Sequence, residues 1–344
     1  MKHFLCTCLA VAAIGTAGAQ NPQWLNLQGE VRVDYQREYL DGDAVKSNSG
    51  FKGKFVNILM SGKITDAFSY SYRQRLNKAH KDQSFFDATD WAYLTYQPNQ
   101  HWGFSGGKQV VGIGGYEYDR APIDLYFCSE YWNNIPCYQL GVSVAYTTGS
   151  GKDKFQGQFC ESPFNLENED MYAYNLMWYG SHGWFNTIYS ANALEYRPGK
   201  FIYYLALGNE FQLGKAKLQL DFMNRATEHH AFFFKDCSVM GELSCPVGKH
   251  INLFGKVTYD VNRTGQEGDR CVYTGTELTR VGGGVEYYPL PDGNRNIRLH
   301  ANVCYSWGKN GNEAGTMLPK QNLIDVGVKW KVDILSFTRK IASL

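Results

Sequence analysis

Long runs in which apolar and polar residues alternate are the feature of this sequence that most limits its fold. Residues 68–77 read FSYSYRQRLN, and residues 25–36 and 297–307 repeat the pattern. Successive side chains of a β-strand point to opposite faces, so each run predicts a strand with one apolar and one polar face. Strands in globular proteins are usually about 5–6 residues long. Longer strands with a polar face are typical of tilted crossings of a bilayer.

The connections between these runs alternate between short and long. Seven short turns and eight longer polar stretches join sixteen predicted strands, with both termini on the short-turn side. The longer stretches lie near residues 38–50, 78–86, 112–137, 161–170, 192–200, 226–231, 263–274 and 309–320. This pattern predicts an all-β fold, a transmembrane antiparallel β-barrel with short periplasmic turns and long extracellular loops. The sheet must close, because an open edge in hydrocarbon would leave backbone amides unpaired.

The composition supports a membrane barrel. The chain holds 24 Tyr, 20 Phe, 8 Trp and 36 Gly, yet its mean hydropathy is −0.40. A membrane barrel spreads aromatic residues over its outer face and keeps polar groups inside, whereas a soluble domain buries aromatic residues in a core. Once Lys2 is set aside, the 34 basic residues become 33 and balance the 33 acidic ones. This balance argues against nucleic acid as a partner.

The first twenty residues, MKHFLCTCLAVAAIGTAGAQ, combine a lysine, an apolar run and a small-x-small motif. They predict a secretory signal peptide over residues 1–19, followed by a single barrel domain over residues 20–344. A membrane anchor is the alternative, but the apolar run is shorter than the roughly 20 residues of a membrane-spanning helix. We therefore expect the mature protein in the bacterial outer membrane.

The other end of the chain leaves two interpretations open. The last strand is expected to end near Val332, so residues 333–344 form either a periplasmic tail or the segment read by the barrel assembly machinery. Outer-membrane lipid, lipopolysaccharide and this machinery are the partners that a membrane barrel implies.

A barrel of sixteen strands leaves an aqueous channel unless a segment narrows it. The third longer stretch ends in YEYDRAPIDLYFCSEYWNNIPC at 116–137 and is long enough to fold inward. We expect a pore constriction there, in which Arg120 faces acidic side chains and creates a transverse field. The predicted constriction residues are Glu117, Asp119, Arg120, Asp124 and Glu130. The predicted function is passive diffusion of small hydrophilic solutes or anions through a water-filled channel.

Cys128 and Cys137 lie in the same stretch, separated by eight residues. A secreted protein matures in an oxidising compartment, so the leading interpretation is a disulfide. Two free buried thiols are the alternative, and a metal site is disfavoured because zinc needs about four ligands and closer spacing. Cys237 and Cys245 are predicted on one strand, too far apart along it to bond to each other.

Two other classes of function compete with a channel. A barrel enzyme needs a nucleophile, a base and an orienting group, but the histidines are scattered and no H-E-x-x-H motif is present. We therefore predict no enzymatic activity, no metal and no cofactor. A closed barrel that acts as an adhesin or as a scaffold for surface lipoproteins is the second alternative.

Three stretches of the chain resemble a known family. They are KQVVGIGG at 108–115, KFQGQFCESPF at 154–164 and LFGKVTYD at 253–260. They are similar to strand segments of the phosphate-selective porin O and P family, in its Bacteroidetes branch. The resemblance implies a sixteen-stranded general or anion-preferring porin, commonly a homotrimer.

Members named for phosphate carry a ladder of arginines that face the lumen. Candidate lumen-facing residues on the polar faces of the predicted strands are Arg32, Arg73, Arg75, Arg280 and Arg298. A salt-bridge lattice with Glu30 and Asp34 that stiffens the wall is a compatible interpretation of these arginines. The third loop holds four acidic residues against one arginine, which favours a weakly selective or solute-selective pore over phosphate selectivity.

Overall fold

A computed structural model describes residues 23–78, 85–165, 170–230, 234–312 and 318–338. The predicted signal peptide lies outside these residues. Within them, no helix is both long enough and apolar enough to span a membrane.

Sixteen antiparallel strands of 8 to 18 residues form one closed sheet, in which each strand pairs with the next along the chain. The strands are β1 (Gln23–Leu40), β2 (Gly50–Lys63), β3 (Phe68–Arg75), β4 (Thr89–Tyr96), β5 (Trp102–Val110), β6 (Tyr138–Thr147), β7 (Asp153–Glu161), β8 (Tyr172–Ser181), β9 (Phe185–Arg197), β10 (Lys200–Leu213), β11 (Ala216–Thr227), β12 (Cys237–Val247), β13 (Ile251–Val261), β14 (Glu277–Tyr287), β15 (Ile297–Lys309) and β16 (Gln321–Thr338). A two-residue strand, Asp43–Ala44, pairs with the end of β1. The predicted barrel is confirmed.

The barrel closes between its first and last strands. β1 and β16 pair along their whole length, from Gln23 opposite Thr338 to Leu40 opposite Gln321. The last strand was expected to end near Val332, and this prediction is wrong. Residues 333–338 continue the strand because the first residues of β1 supply their hydrogen-bonding partners.

The strands have the predicted two faces. On β15, Val303 and Tyr305 are exposed on the outer surface, whereas His300, Asn302 and Cys304 are buried inside. Apolar residues on the outside suit hydrocarbon, and polar residues line the inside, as is typical of a membrane barrel.

In the part of the chain that the structure describes, the loops contain only short helices. These are α1 (Phe85–Ala88), α2 (Tyr116–Asp119) and α3 (Glu130–Asn134), with 3-10 turns at Lys46–Asn48, Pro122–Asp124 and Pro291–Gly293. Residues 217–262 contain three strands, β11, β12 and β13. The long loop predicted at 192–200 is wrong, because β9 continues to Arg197 and only two residues separate it from β10.

Candidate pore constriction

The third loop, residues 111–137, is called L3 below. It leaves β5 at Val110, folds into the barrel and returns to β6 at Tyr138. Its first turn is glycine-rich because the backbone lies directly against the wall. A Cβ atom on Gly114 would stand 2.7 Å from the carbonyl oxygen of Ile188 in β9, so a larger residue would push L3 off the wall.

Backbone amides fix the start of L3 to one side of the barrel. Gly114 N donates to Ser190 Oγ in β9 at 2.8 Å. The amides of Tyr116 and Glu117 donate to the two carboxylate oxygens of Asp221 in β11, at 2.9 and 2.7 Å. Amides that would otherwise be buried without partners are thereby satisfied by polar side chains that face inward.

Arg120 binds the wall and not the acidic residues of its own loop. Its Nη1 donates to both carboxylate oxygens of Glu242 in β12, at 2.7 and 2.9 Å, and its Nη2 donates to Gln219 Oε1 at 2.6 Å. The predicted arrangement, with Arg120 facing the acidic side chains of L3 across the channel, is therefore not the one in the structure. One nitrogen of the guanidinium instead donates to both oxygens of a carboxylate that sequence reasoning missed.

Two of the predicted constriction acids also pair with the wall. Glu117 Oε1 lies 2.7 Å from Lys256 Nζ of β13 and accepts a hydrogen bond from Ser129 N at 3.0 Å. Asp124 Oδ1 lies 2.8 Å from Arg298 Nη1 and 2.6 Å from Lys329 Nζ.

The pKa of Asp124 reflects these neighbours. Burial acts to raise the pKa, but the two cations outweigh it and lower the pKa to about 2. Asp124 is therefore ionised at any physiological pH and holds the tip of L3 against β15 and β16.

The remaining predicted acids have different surroundings. Glu130 is fully buried at the start of α3 and accepts a hydrogen bond from Asn134 Nδ2 at 2.9 Å. Burial raises its pKa to about 7. Asp119 is exposed in the lumen. Among the predicted acids, Asp119 is the most exposed, whereas the side chain of Asp124 is 15% exposed.

All five predicted arginines lie on the inner face of the barrel, mostly buried and engaged by protein groups. Arg32 pairs with Asp34 at 2.8 Å and its Nη1 donates to Leu125 O of L3 at 2.5 Å. Arg280 Nη2 donates to Gln321 Oε1 at 3.0 Å. These contacts describe a lattice that stiffens the wall and anchors L3.

Arg73 and Arg75 differ from the other arginines because they share one carboxylate. Arg73 Nε and Arg75 Nη2 lie 2.9 and 3.3 Å from the same oxygen of Asp90. The guanidinium of Arg73 stacks on Trp91, 3.8 Å from the ring centroid. The side chain of Arg75 is 23% exposed, so this cluster has a net positive charge that is open to the lumen.

The predicted disulfide between Cys128 and Cys137 is not formed in the structure, where both residues are free cysteines. Cys128 packs with Leu125 and Leu278, whereas Cys137 packs against a larger apolar cluster at the other end of L3. Helix α3 lies between the two cysteines and directs them to different parts of the wall. Apolar packing thus holds the C-terminal part of L3 against the wall of the barrel.

A second inward-folded loop was missed by sequence reasoning. In residues 262–276, Asp269 lies 2.6 Å from Arg225 of β11, with both side chains fully buried. Cys271 and Val272 of this loop join Val111 and Tyr131 of L3 in one apolar cluster inside the barrel. The local sequence carries no signal for this, since polar and glycine-rich residues equally suit a surface loop.

Comparison with known proteins agrees with the geometry. Residues 25–185 match the model of the family described as phosphate-selective porin O and P, which confirms the predicted resemblance over that region. No curated protein matches the sequence.

Several solved structures share the fold. The anion-selective porin from Comamonas acidovorans superposes with a TM-score of 0.64 at 12% identity, covering 90% of this chain and 100% of that one. The trimer form of OmpT from Vibrio cholerae gives a TM-score of 0.61 at 14% identity, covering 90% and 99% of the two chains. The outer-membrane channel DcaP of Acinetobacter baumannii gives 0.62 at 13% identity, covering 90% and 97%. At these identities the similarity establishes the barrel fold.

Proposed function

We propose that this chain, a bacterial outer-membrane porin whose residues 25–185 match the phosphate-selective porin O and P family, passes small hydrophilic solutes by diffusion alongside L3. The observation that carries the proposal is that L3 packs against the arc of the wall that runs from β9 through β16 to β1. Its hydrogen bonds and ion pairs reach wall residues such as Ser190, Asp221, Glu242, Lys256 and Arg298. A loop fixed in this way narrows a channel of sixteen strands without having to fill it.

Exposure of the inner wall supports a one-sided passage. Inward residues beneath L3, such as Ser190 and Asp221, are buried. Inward residues on the opposite strands, such as Ser71, Ser105 and Ser143, are half-buried. Water therefore has access to the inner face of β3–β6.

A modest preference for anions is part of the proposal. The charges of Glu117, Asp124 and Arg120 are each compensated by an ion pair with the wall. Arg73 and Arg75 together face one carboxylate. The net positive charge next to the water path attracts anions and repels cations, in the manner of charged rings in other pores.

The proposed assembly is a homotrimer in the outer-membrane bilayer, with lipid and lipopolysaccharide around it. Strands β3 and β4 hold 8 residues each and β5 holds 9. A hydrophobic wall this short is accommodated at low cost when it packs against another protein. OmpT from Vibrio cholerae, which shares the fold, occurs in a trimer form.

The proposal is of a channel and not of an enzyme. The most enzyme-like pair inside the barrel is His300 with Asp34, whose side chains are both 0% exposed. A solute in the lumen has no access to this pair, so a structural role fits it better than catalysis.

Electrical recording from planar bilayers tests the proposed function. The purified protein should insert and give discrete, ohmic conductance steps. Across a salt gradient, the reversal potential should shift from zero toward the equilibrium potential of the anion. A protein that reconstitutes into vesicles but gives no conductance would overturn the proposal.

A further inference from the structure

The last strand, β16, extends beyond the strand beside it. Its pairing with β15 ends at Trp330, which lies opposite Ile297, and Lys331 N donates to Asn296 O at 2.7 Å. Among the described residues, no strand pairs with residues 332–338 on the β15 side. On the other side, the same residues pair with β1. This segment, called the overhang below, is therefore a sheet edge that is paired on one side only.

The composition of the overhang suits it to strand pairing. It reads VDILSFT and holds one charged residue, no proline and no glycine. Sheet edges in native proteins are usually protected by lysine, proline or a covering loop, and an apolar edge without these is a template for another strand. Residues 332–337 are all exposed, so no described part of the chain covers them.

The apolar side chains of the overhang are open together with its backbone. Four of them are 46–56% exposed, namely Val332, Ile334, Leu335 and Phe337. Water could satisfy the unpaired amides, but it is a poor solvent for four neighbouring apolar side chains. Lipid suits the side chains but leaves the amides unpaired. An added strand with apolar residues on its outer face meets both requirements.

Contacts with β1 hold the overhang in an extended conformation. Gln28 Nε2 donates to Asp333 Oδ1 and Gln23 Nε2 donates to Ser336 Oγ, both at 2.6 Å. These side chains lie on the opposite face from the exposed apolar ones. Because the edge is already extended, a partner strand can bind it with little loss of conformational entropy in the barrel.

We infer that the overhang is a docking edge that binds an extended segment of a second protein at the periplasmic surface of the outer membrane. The short turns of a membrane barrel face the periplasm, and the overhang lies at that rim. The bound segment takes the position that β15 holds farther along β16 and pairs antiparallel to it. Main-chain hydrogen bonds provide affinity, and apolar residues at alternate positions of the segment provide selectivity. This inference goes beyond the proposed porin function and does not depend on conduction.

Binding of a labelled peptide to the folded protein in detergent tests the inference. The probe copies residues 23–31, QWLNLQGEV, the part of β1 that pairs with the overhang from its other side. Its fluorescence anisotropy should rise to saturation as protein is added. Leu335→Lys should weaken binding by about tenfold, because a charged side chain protects a sheet edge.

Leu213→Lys is the matched control for this measurement. Leu213 is 52% exposed at the same rim, but it pairs with Ala216 across a tight turn. This variant should bind the peptide as wild type does. Absence of saturable binding to wild type, or equal binding by Leu335→Lys and wild type, would overturn the inference.

Amide hydrogen exchange provides a second measurement that needs no substitution. In the free protein, the amides of the overhang that face away from β1 should exchange fast. Saturating peptide should slow exchange in residues 332–338 and leave the rest of β16 unchanged. Slow exchange of the whole overhang in the free protein would show that its edge is already covered, and the inference would then be wrong.

Discussion

His300 Nε2 of β15 and Asp34 Oδ1 of β1 lie 3.0 Å apart, although strand β16 runs between their strands. The β16 residue that faces both of them is Gly327. A Cβ atom at this position would stand 2.2 Å from Asp34 Oδ1 and 2.8 Å from His300 Nε2. The missing side chain therefore allows a histidine and an aspartate to meet across the strand that closes the barrel.

Gly327→Ala should separate His300 from Asp34 and destabilise the barrel. A buried polar group that loses its partner costs about 1–3 kcal/mol. Thermal unfolding, followed by the loss of the heat-resistant band on gel electrophoresis, measures this effect. Gly255→Ala is the control, because the nearest heavy atom to a Cβ there is 4.0 Å away. An equal unfolding temperature for the two variants would contradict the packing argument.

Arg120→Gln should shift the reversal potential toward cations. The substitution removes a positive charge that compensates Glu242 and leaves that carboxylate free in the lumen. The double variant Arg120→Gln with Glu242→Gln restores neutrality and should recover most of the wild-type reversal potential. Comparing the single and double variants separates the effect of the Arg120–Glu242 charge pair on the reversal potential from the effect of a more loosely held L3. A double variant as cation-preferring as Arg120→Gln would assign the shift to another charge.

Arg75→Gln should reduce the proposed preference for anions. Its guanidinium is the more exposed of the two that share Asp90, so its removal leaves the cluster neutral while Arg73 stays paired. The reversal potential across a potassium chloride gradient measures the change. Arg37→Gln is the matched control, since Arg37 lies on the outer face of β1, away from the lumen. Equal reversal potentials for the two variants would show that Arg75 does not contribute to the ion selectivity of the pore.

Docking of L3 should weaken as the pH rises through the pKa of Glu130. Burial raises this pKa from its ordinary value of 4.5 to about 7. An unfolded or undocked loop then binds fewer protons than the docked one, so stability is complete below about pH 4.5 and falls until about pH 7. Current noise of the open channel should be greater at pH 8 than at pH 5. Glu130→Gln should remove this pH dependence, and its persistence would point to another group.

Cys128 and Cys137 should both be alkylated in protein that is recovered from the membrane and unfolded without reductant. Both are free in the structure and pack in different apolar clusters. Addition of a reductant should therefore leave the conductance unchanged. A peptide mass that corresponds to a Cys128–Cys137 disulfide would contradict this prediction and would show that a covalent bond holds L3.

Much of the fold follows from local patterns. The alternation of apolar and polar residues along each strand, together with the alternation of short and long connections, predicts sixteen strands, their order and an inward third loop. Each of these depends on residues that are near one another in sequence. The errors occur where a local pattern is ambiguous. Residues 333–338 alternate weakly, and only pairing with β1 makes them a strand.

The partners of the charged residues depend on tertiary structure. The sequence places Arg120, Asp124 and Arg298 inside the barrel, but it does not determine which charges meet. Asp124 pairs with Arg298, 174 residues away, and Arg120 with Glu242, 122 residues away. Such pairs form only after the barrel closes and L3 takes its path. The sequence by itself therefore determined a membrane barrel with a loop inside, because strand patterns are local. Only the tertiary structure decided that the loop lies on one wall and neutralises its charges there, because those contacts join residues far apart in the chain.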